Sequence, residues 1–391
     1  MKLGFLFRNK QFQSIVGSHL GTTLGMNMIL PVLPVFLQTN GFTESQIGLL
    51  MGITAVGALV VRPWVGFRID TKGSRPAILV GQFLLLVATA GYLGAQTFAA
   101  FFGLRLLYGI ALAFYGTGAV TFASSVESGE GTSSAIALYT LTTMLAIGLA
   151  MSVSQIAFDQ FGFPMLVIGS LVLIGIAAGI IGLVARPIKP SSGGIRVPFL
   201  VVFRSKVVLA TTVCQFAANF AFSALFTFTP LAALDRGIPF YSVFFISFAV
   251  MVVSSRFFVQ AINNRLGLEK TTLFASLTML ASVLLLFSNI TPAILAVSGV
   301  LFGLGFGVVF PTLVLLLIGR VEAANRGTSL SILTAAGDTG VALSASILGG
   351  VAEHLGYRVL FLVTAVILTA GTYYFRKILA SDAADSQASY K

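Results

Sequence analysis

Asp338 is the residue that most invites a chemical role. It stands in Ala335-Ala-Gly-Asp338-Thr-Gly340, inside a long apolar run, and of the 12 acids it is the one placed that deep. At a rise of about 1.5 Å per residue, roughly ten residues of helix carry it to the middle of a hydrocarbon layer. A carboxyl held out of water favours its neutral form, the condition for taking up and releasing a proton in a cycle. The alternative is a structural carboxyl bonded to a neighbouring helix or hydroxyl. Arg105, in Leu104-Arg-Leu-Leu-Tyr-Gly109, is the matching oddity among the bases. A cation in lipid is costly, so it faces a partner or cavity, or snorkels about 10 Å to the nearer interface. Tyr108, Leu112 and Tyr115 continue its face at helical spacing.

Two polar stripes accompany these charges. His19, Thr23 and Asn27 recur every fourth residue. Thr212, Gln215, Asn219 and Ser223 recur at helical spacing in another run, flanked or extended by Phe216, Phe220 and Phe226. Such stripes either line a path for a polar solute or bind helix to helix. Gly303, Gly305, Gly307 and then Phe310-Pro311 mark a span built for close packing and bending, and Pro31 and Pro34 mark another. Glu127 and Glu322 sit at corresponding span ends near basic turns, within reach of Arg75 or Lys72 and of Arg265 or Lys270. Exposed pairs of this kind are worth under about 1 kcal/mol each, so they matter as a difference between two conformations.

The elements that position these residues follow from composition. The chain has 391 residues, 57% hydrophobic and 9% charged. A soluble domain carries about 25% charged residues, so the solvent for most of this chain is lipid. The net charge of +11 does not indicate nucleic acid, because the charges fall in short loops between apolar runs. A lone cysteine, Cys214, excludes an intrachain disulfide, and His19 and His354 are too far apart in sequence for a metal cluster. No phosphate-binding loop or large polar domain is present, so no cofactor is expected and transport driven by ATP hydrolysis is excluded.

Twelve spans can be counted, at 11–38, 45–67, 76–95, 98–124, 133–158, 163–185, 207–233, 240–262, 271–288, 292–318, 328–352 and 358–378. The basic start followed by a long apolar run reads as a first membrane helix, not a cleaved leader. The N-terminus, the even-to-odd loops and the C-terminus hold 20 of the 23 Lys and Arg, which puts both termini in the cytoplasm. Residues 187–206 read as a cytoplasmic linker between a bundle at 1–186 and a second at 207–380, with a disordered tail at 381–391. The halves repeat: Arg62, Gly73 and Gly162 reappear as Arg256, Gly267 and Gly356 at a shift of 194, and Pro34, Gly41 and Gly131 as Pro230, Gly237 and Gly327 at 196. Near-constant shifts imply a duplicated six-helix unit.

Between the second and third spans lies Gly66-Phe-Arg-Ile-Asp70-Thr-Lys-Gly73-Ser-Arg75. It is a short basic turn in which Gly66 permits close helix approach and Gly73 a left-handed residue. Gly66, Asp70, Gly73 and Arg75 resemble the loop signature of the major facilitator superfamily, with Arg68 and Ser74 as departures. Arg105 followed four residues later by Gly109 resembles that family's fourth helix.

The resemblance implies an all-α membrane protein of two pseudo-symmetric six-helix bundles working by alternating access. It places the first, fourth, seventh and tenth helices around the substrate, with Asn27, Thr23, Tyr108, Tyr115, Gln215, Asn219, Phe226 and Phe310 as contacts. It links Arg105 with proton coupling, beside Asp338. It makes Gly66, Asp70, Gly73 and Arg75 a conformational latch, with Asp70 meeting the Gly327 start of the eleventh helix; the positions of Glu127 and Glu322 beside the basic turns add them to it. The partners implied are a small-molecule substrate, protons and membrane lipid, for a monomer in the cell membrane.

The best match is to exporters of drugs or metabolites that exchange for protons. The fifth-span Gly-Pro pair usual in them is absent from Gly148-Leu-Ala-Met-Ser-Val-Ser-Gln155. A proton-coupled importer of a sugar or organic anion is the alternative. A membrane-embedded transferase would need a cluster of acids, His or Cys, which Glu127 and Glu130 do not make. A channel would need a filter.

Overall fold

The computed structural model describes residues 9–125, 130–185, 205–322 and 325–388. Among these the chain is helical throughout, in eleven helices and no strand. They are α1 (Lys10–Ile29), α2 (Leu33–Thr39), α3 (Glu44–Lys72), α4 (Ser74–Gly91), α5 (Phe98–Ser125), α6 (Glu130–Leu183), α7 (Lys206–Asp235), α8 (Ser242–Leu266), α9 (Leu268–Ser288), α10 (Pro292–Arg320) and α11 (Arg326–Ala388).

Among the described residues, ten helical stretches are long and apolar enough to cross a membrane, with α1 and α2 forming one of them. The first expected span is thus bent, not straight: Pro34 takes the first turn of α2, where its missing N–H is harmless. Two stretches are far longer than one crossing requires. Each is broken by a single non-helical glycine, Gly162 in α6 (φ 74°) and Gly356 in α11 (φ 83°). Each break divides its stretch into two shorter helical segments. The last helix runs on to Ala388, into the stretch read from sequence as a disordered tail. The linker reading for 187–206 lies outside the described residues except at Ser205 and Lys206.

Two compact units divide the chain, Met1–Ser192 and Gly193–Lys391. In the first, α1 packs on α6, and α5 packs on both α3 and α4. In the second, α7 packs on α11, and α10 packs on both α8 and α9. The same pairing scheme is therefore built twice. Backbone conformation repeats with it: among the described residues the positive-φ positions are Gly41, Gly73, Gly162, Gly237, Gly267 and Gly356, three and their three counterparts. Gly73 ends α3 by donating its N–H to the Ile69 carbonyl and starts α4; Gly267 does the same with Asn263 between α8 and α9. Only glycine takes that conformation without strain.

Within each unit, serine hydroxyls and glycines hold the helix pairs. Ser170 of α6 donates to the Gly25 carbonyl of α1 at 2.7 Å, and Ser344 of α11 donates to the Phe220 carbonyl of α7 at 2.7 Å. A methyl added at Gly109 would run into the Thr54 carbonyl, one at Gly81 into the backbone of Tyr115, and one at Gly340 into the Phe216 carbonyl. Such small-residue contacts replace the hydrophobic drive that lipid removes. One at Gly66 would meet nothing within 4 Å, so the close approach expected there falls to these other glycines. Large apolar side chains, Phe257, Val60 and Leu183 among them, are left exposed, as a lipid-facing surface requires.

Candidate functional site

In the first unit the polar stripe of α1 is buried and its hub is His19. The ring nitrogens lie 2.7 Å from the Tyr115 hydroxyl (Nδ1) and 2.7 Å from the Thr143 hydroxyl (Nε2). Thr143 spends its own proton on the Tyr139 carbonyl at 3.0 Å, so it accepts from His19, and Nε2 carries the imidazole hydrogen. Nδ1 is then the acceptor and Tyr115 the donor. A second set of bonds joins α1 to α4. Thr22 accepts from the Gln82 amide at 2.9 Å, as does Ser18 at 2.9 Å.

These bonds make two ordered sets. One runs from Tyr115 of α5 through His19 to Thr143 and the Tyr139 carbonyl of α6, each member donating to the next; the other runs from Gln82 of α4 to Thr22 and Ser18 of α1. Together they tie α4, α1, α5 and α6. Tyr139 stacks on the ring with centroids 4.0 Å apart, and the Gln82 carbonyl oxygen is buried with no partner. The α4–α5 contact at Gly81 sets the height of Tyr115. Further along α1, Thr23 lies 3.4 Å from Nδ1 and Asn27 donates to the Thr23 carbonyl at 2.8 Å.

Arg105 is buried and does not snorkel. Its Nε donates to the Leu50 carbonyl of α3 at 3.1 Å, a terminal nitrogen lies 3.4 Å from Met51 Sδ, and the guanidinium sits 5.4 Å from the Tyr108 ring centre. The cation is thus satisfied by a backbone carbonyl, sulfur and an aromatic face.

In the second unit α7 and α11 cross at Gly337. A methyl there would strike the Asn219 amide and press on that of Gln215, so two amide side chains converge one residue from Asp338. Asp338 is half-buried and makes interactions of its own. The Gln215 carbonyl oxygen and the Thr212 hydroxyl are buried without a partner. Phe226 lies inside an aromatic cluster, stacked on Phe222 at 4.0 Å and edge-on to Phe248 at 4.9 Å, while Phe310 is exposed.

The turn residues separate. Arg75 donates to the Gly182 carbonyl at 2.7 Å and to that of Ile181 at 3.3 Å, capping the end of α6, where a helix favours a cation. Asp70 belongs to the last turn of α3, and Glu127 lies outside the described residues. Glu322 is exposed; the ion pair at that end of the second unit joins Arg320 to Glu269, which sequence spacing did not single out. Sequence reasoning also passed over Gln82, Tyr139 and Thr143. The Tyr139–Thr143 spacing of one helical turn was the available signal. Among the described residues no cluster of His, Cys, Asp or Glu could hold a metal.

A family model described as Major Facilitator Superfamily matches residues 15–288 and 256–389. The Staphylopine export protein of Staphylococcus aureus is 24% identical over 356 residues, 88% of this chain and 89% of its own. The crystal structure of the nucleoside transporter NupG superposes with a TM-score of 0.78 at 15% identity, over 95% of this chain and 99% of that one. That of the human organic anion transporter MFSD10 does so with a TM-score of 0.71 at 16% identity, over 94% and 99%.

Proposed function

The chain belongs to the major facilitator superfamily, a family of transport proteins and not of enzymes, and on that footing we propose that it exports a small amphiphilic molecule in exchange for protons. It works by alternating access as a multi-pass protein of the cell membrane, both termini cytoplasmic. The observation that carries the proton reading is Asp338. It stands about 18 Å along α11 from Arg326 by helical rise, half-buried, one residue from the point where the Asn219 and Gln215 amides converge. A carboxyl in that setting is neutral in one state and charged in another that admits water. Amide groups can then meet either the carboxylate or a polar group of the substrate. Arg105 supplies a fixed positive charge in the first unit, and Thr23, Asn27 and the His19 network supply neutral hydrogen-bonding groups. Export is favoured over import by the staphylopine exporter among its relatives.

Direction is tested in cells loaded with a panel of labelled amphiphilic metabolites and drugs, with and without expression of the chain. Export predicts lower retention of at least one compound on expression. Higher retention of a sugar or organic anion would support import instead.

A further inference from the structure

On the lipid-facing side of the second unit, α9 and the part of α11 after Gly356 enclose an apolar groove of about 510 Å³. Leu280 and Leu284 form one wall, and Leu362, Val366, Thr369 and Tyr373 the other. From Leu362 to Tyr374 the groove follows α11 for about 18 Å, close to the roughly 15 Å depth of one leaflet. Val366 and Tyr373 are both 59% exposed, so the unit's own packing does not fill it.

One end of this groove is basic. The Arg358 guanidinium lies 5.0 Å from the Phe287 ring centre, which fixes the register of two helices running in opposite directions. Leu280, seven residues before Phe287, is then level with Ala365, seven after Arg358, and both line the groove. Carried to the other end, the same register sets Lys270 level with Phe375, beside Arg376 and Lys377. On α11, Arg376 and Lys377 follow Tyr373 by three and four residues and so continue the groove's face. On α9, Lys270 continues the face of Leu284, Leu280 and Leu277. All three cations are exposed. The neighbouring acid, Glu269, is paired with Arg320.

We propose that this groove holds one phospholipid with an anionic headgroup, its acyl chain along Leu362–Tyr374 and its phosphate on Lys377 and Arg376, with Lys270 on the facing helix. An acyl chain fits the length and apolar lining. The basic end selects charge, and Tyr373 and Tyr374 stand at the level of the headgroup, where amphipathic rings prefer to lie. A zwitterionic lipid would fill the groove equally well but gain little from three cations. Basic residues beside a bilayer each contribute about fivefold in affinity for anionic lipid.

The test is native mass spectrometry of the purified full chain, titrated with phosphatidylglycerol or phosphatidylcholine of the same chain length. The wild type should retain phosphatidylglycerol in preference. Arg376→Gln with Lys377→Gln should weaken that retention by about tenfold or more. Val366→Trp, which fills the groove and leaves the charges, should reduce retention of both lipids. Arg236→Gln, a loss of charge elsewhere on the surface, should change nothing. Equal retention of the two lipids by the wild type would overturn the proposal, as would retention by the double variant at the wild-type level.

Discussion

Tyr115 heads an ordered hydrogen-bond chain, donating to His19, which donates on to Thr143. Removing its hydroxyl leaves the buried Nδ1 lone pair with only the Thr23 hydroxyl, 3.4 Å away, which costs up to about 1–3 kcal/mol. Tyr115→Phe should therefore lower the melting temperature of the purified protein by several degrees; an unchanged melting temperature would mean that the chain is not continuous. Arg105 tests differently. A Lys at that position keeps the charge but cannot reach both the Leu50 carbonyl and Met51 with one planar group. Arg105→Lys should slow transport with the protein still folded, and a wild-type rate would leave charge alone as the requirement. Of these two residues the sequence marked Arg105 openly, since a cation inside an apolar run stands out. It could not show that the partner is a backbone carbonyl, which has no side-chain signature. His19 was harder still: its partners lie 96 and 124 residues away, and nothing local separates a hub from a singly bonded imidazole.

Helices here meet backbone to backbone, and the glycines say where. Gly81 lets α4 touch α5 at Tyr115, so Gly81→Ala has no side-chain tip to push aside and must move a helix. Overpacking of that kind costs about 1–3 kcal/mol, and here it also pulls Tyr115 from His19. Gly66→Ala, which would meet nothing within 4 Å, should cost almost nothing in a melting measurement. Equal losses for the two would contradict the packing described. The spans were legible because lipid demands uninterrupted apolar helices, and the duplication was legible because Gly73, Gly162 and their counterparts keep a conformation only glycine holds easily. The bend at Pro31–Pro34 was foreseeable as a bend. Less foreseeable was that Pro230, its counterpart, would sit inside an unbroken α7. A proline removes one donor, and neighbouring packing decides whether the helix yields.

The two units differ in one chemical respect. The first unit is furnished with a neutral hydrogen-bond chain and a fixed cation, whereas the second places a half-buried carboxyl at the convergence of two amides. A cycle that couples protons to substrate needs one group whose charge changes, and a difference of a few kcal/mol between its two states reverses a two-state equilibrium. In the proposed cycle Asp338 is that group, and Asn at the same position is close in size but cannot change charge. The direct measurement is uptake of the exported compound into inverted membrane vesicles with an acid interior, where export in the cell becomes accumulation. Wild-type vesicles should accumulate the compound against its gradient and lose it when an ionophore collapses the pH difference. Asp338→Asn vesicles should exchange labelled for unlabelled compound without accumulating it. Accumulation by Asp338→Asn at the wild-type rate and pH profile would contradict the account and return Asp338 to a structural role.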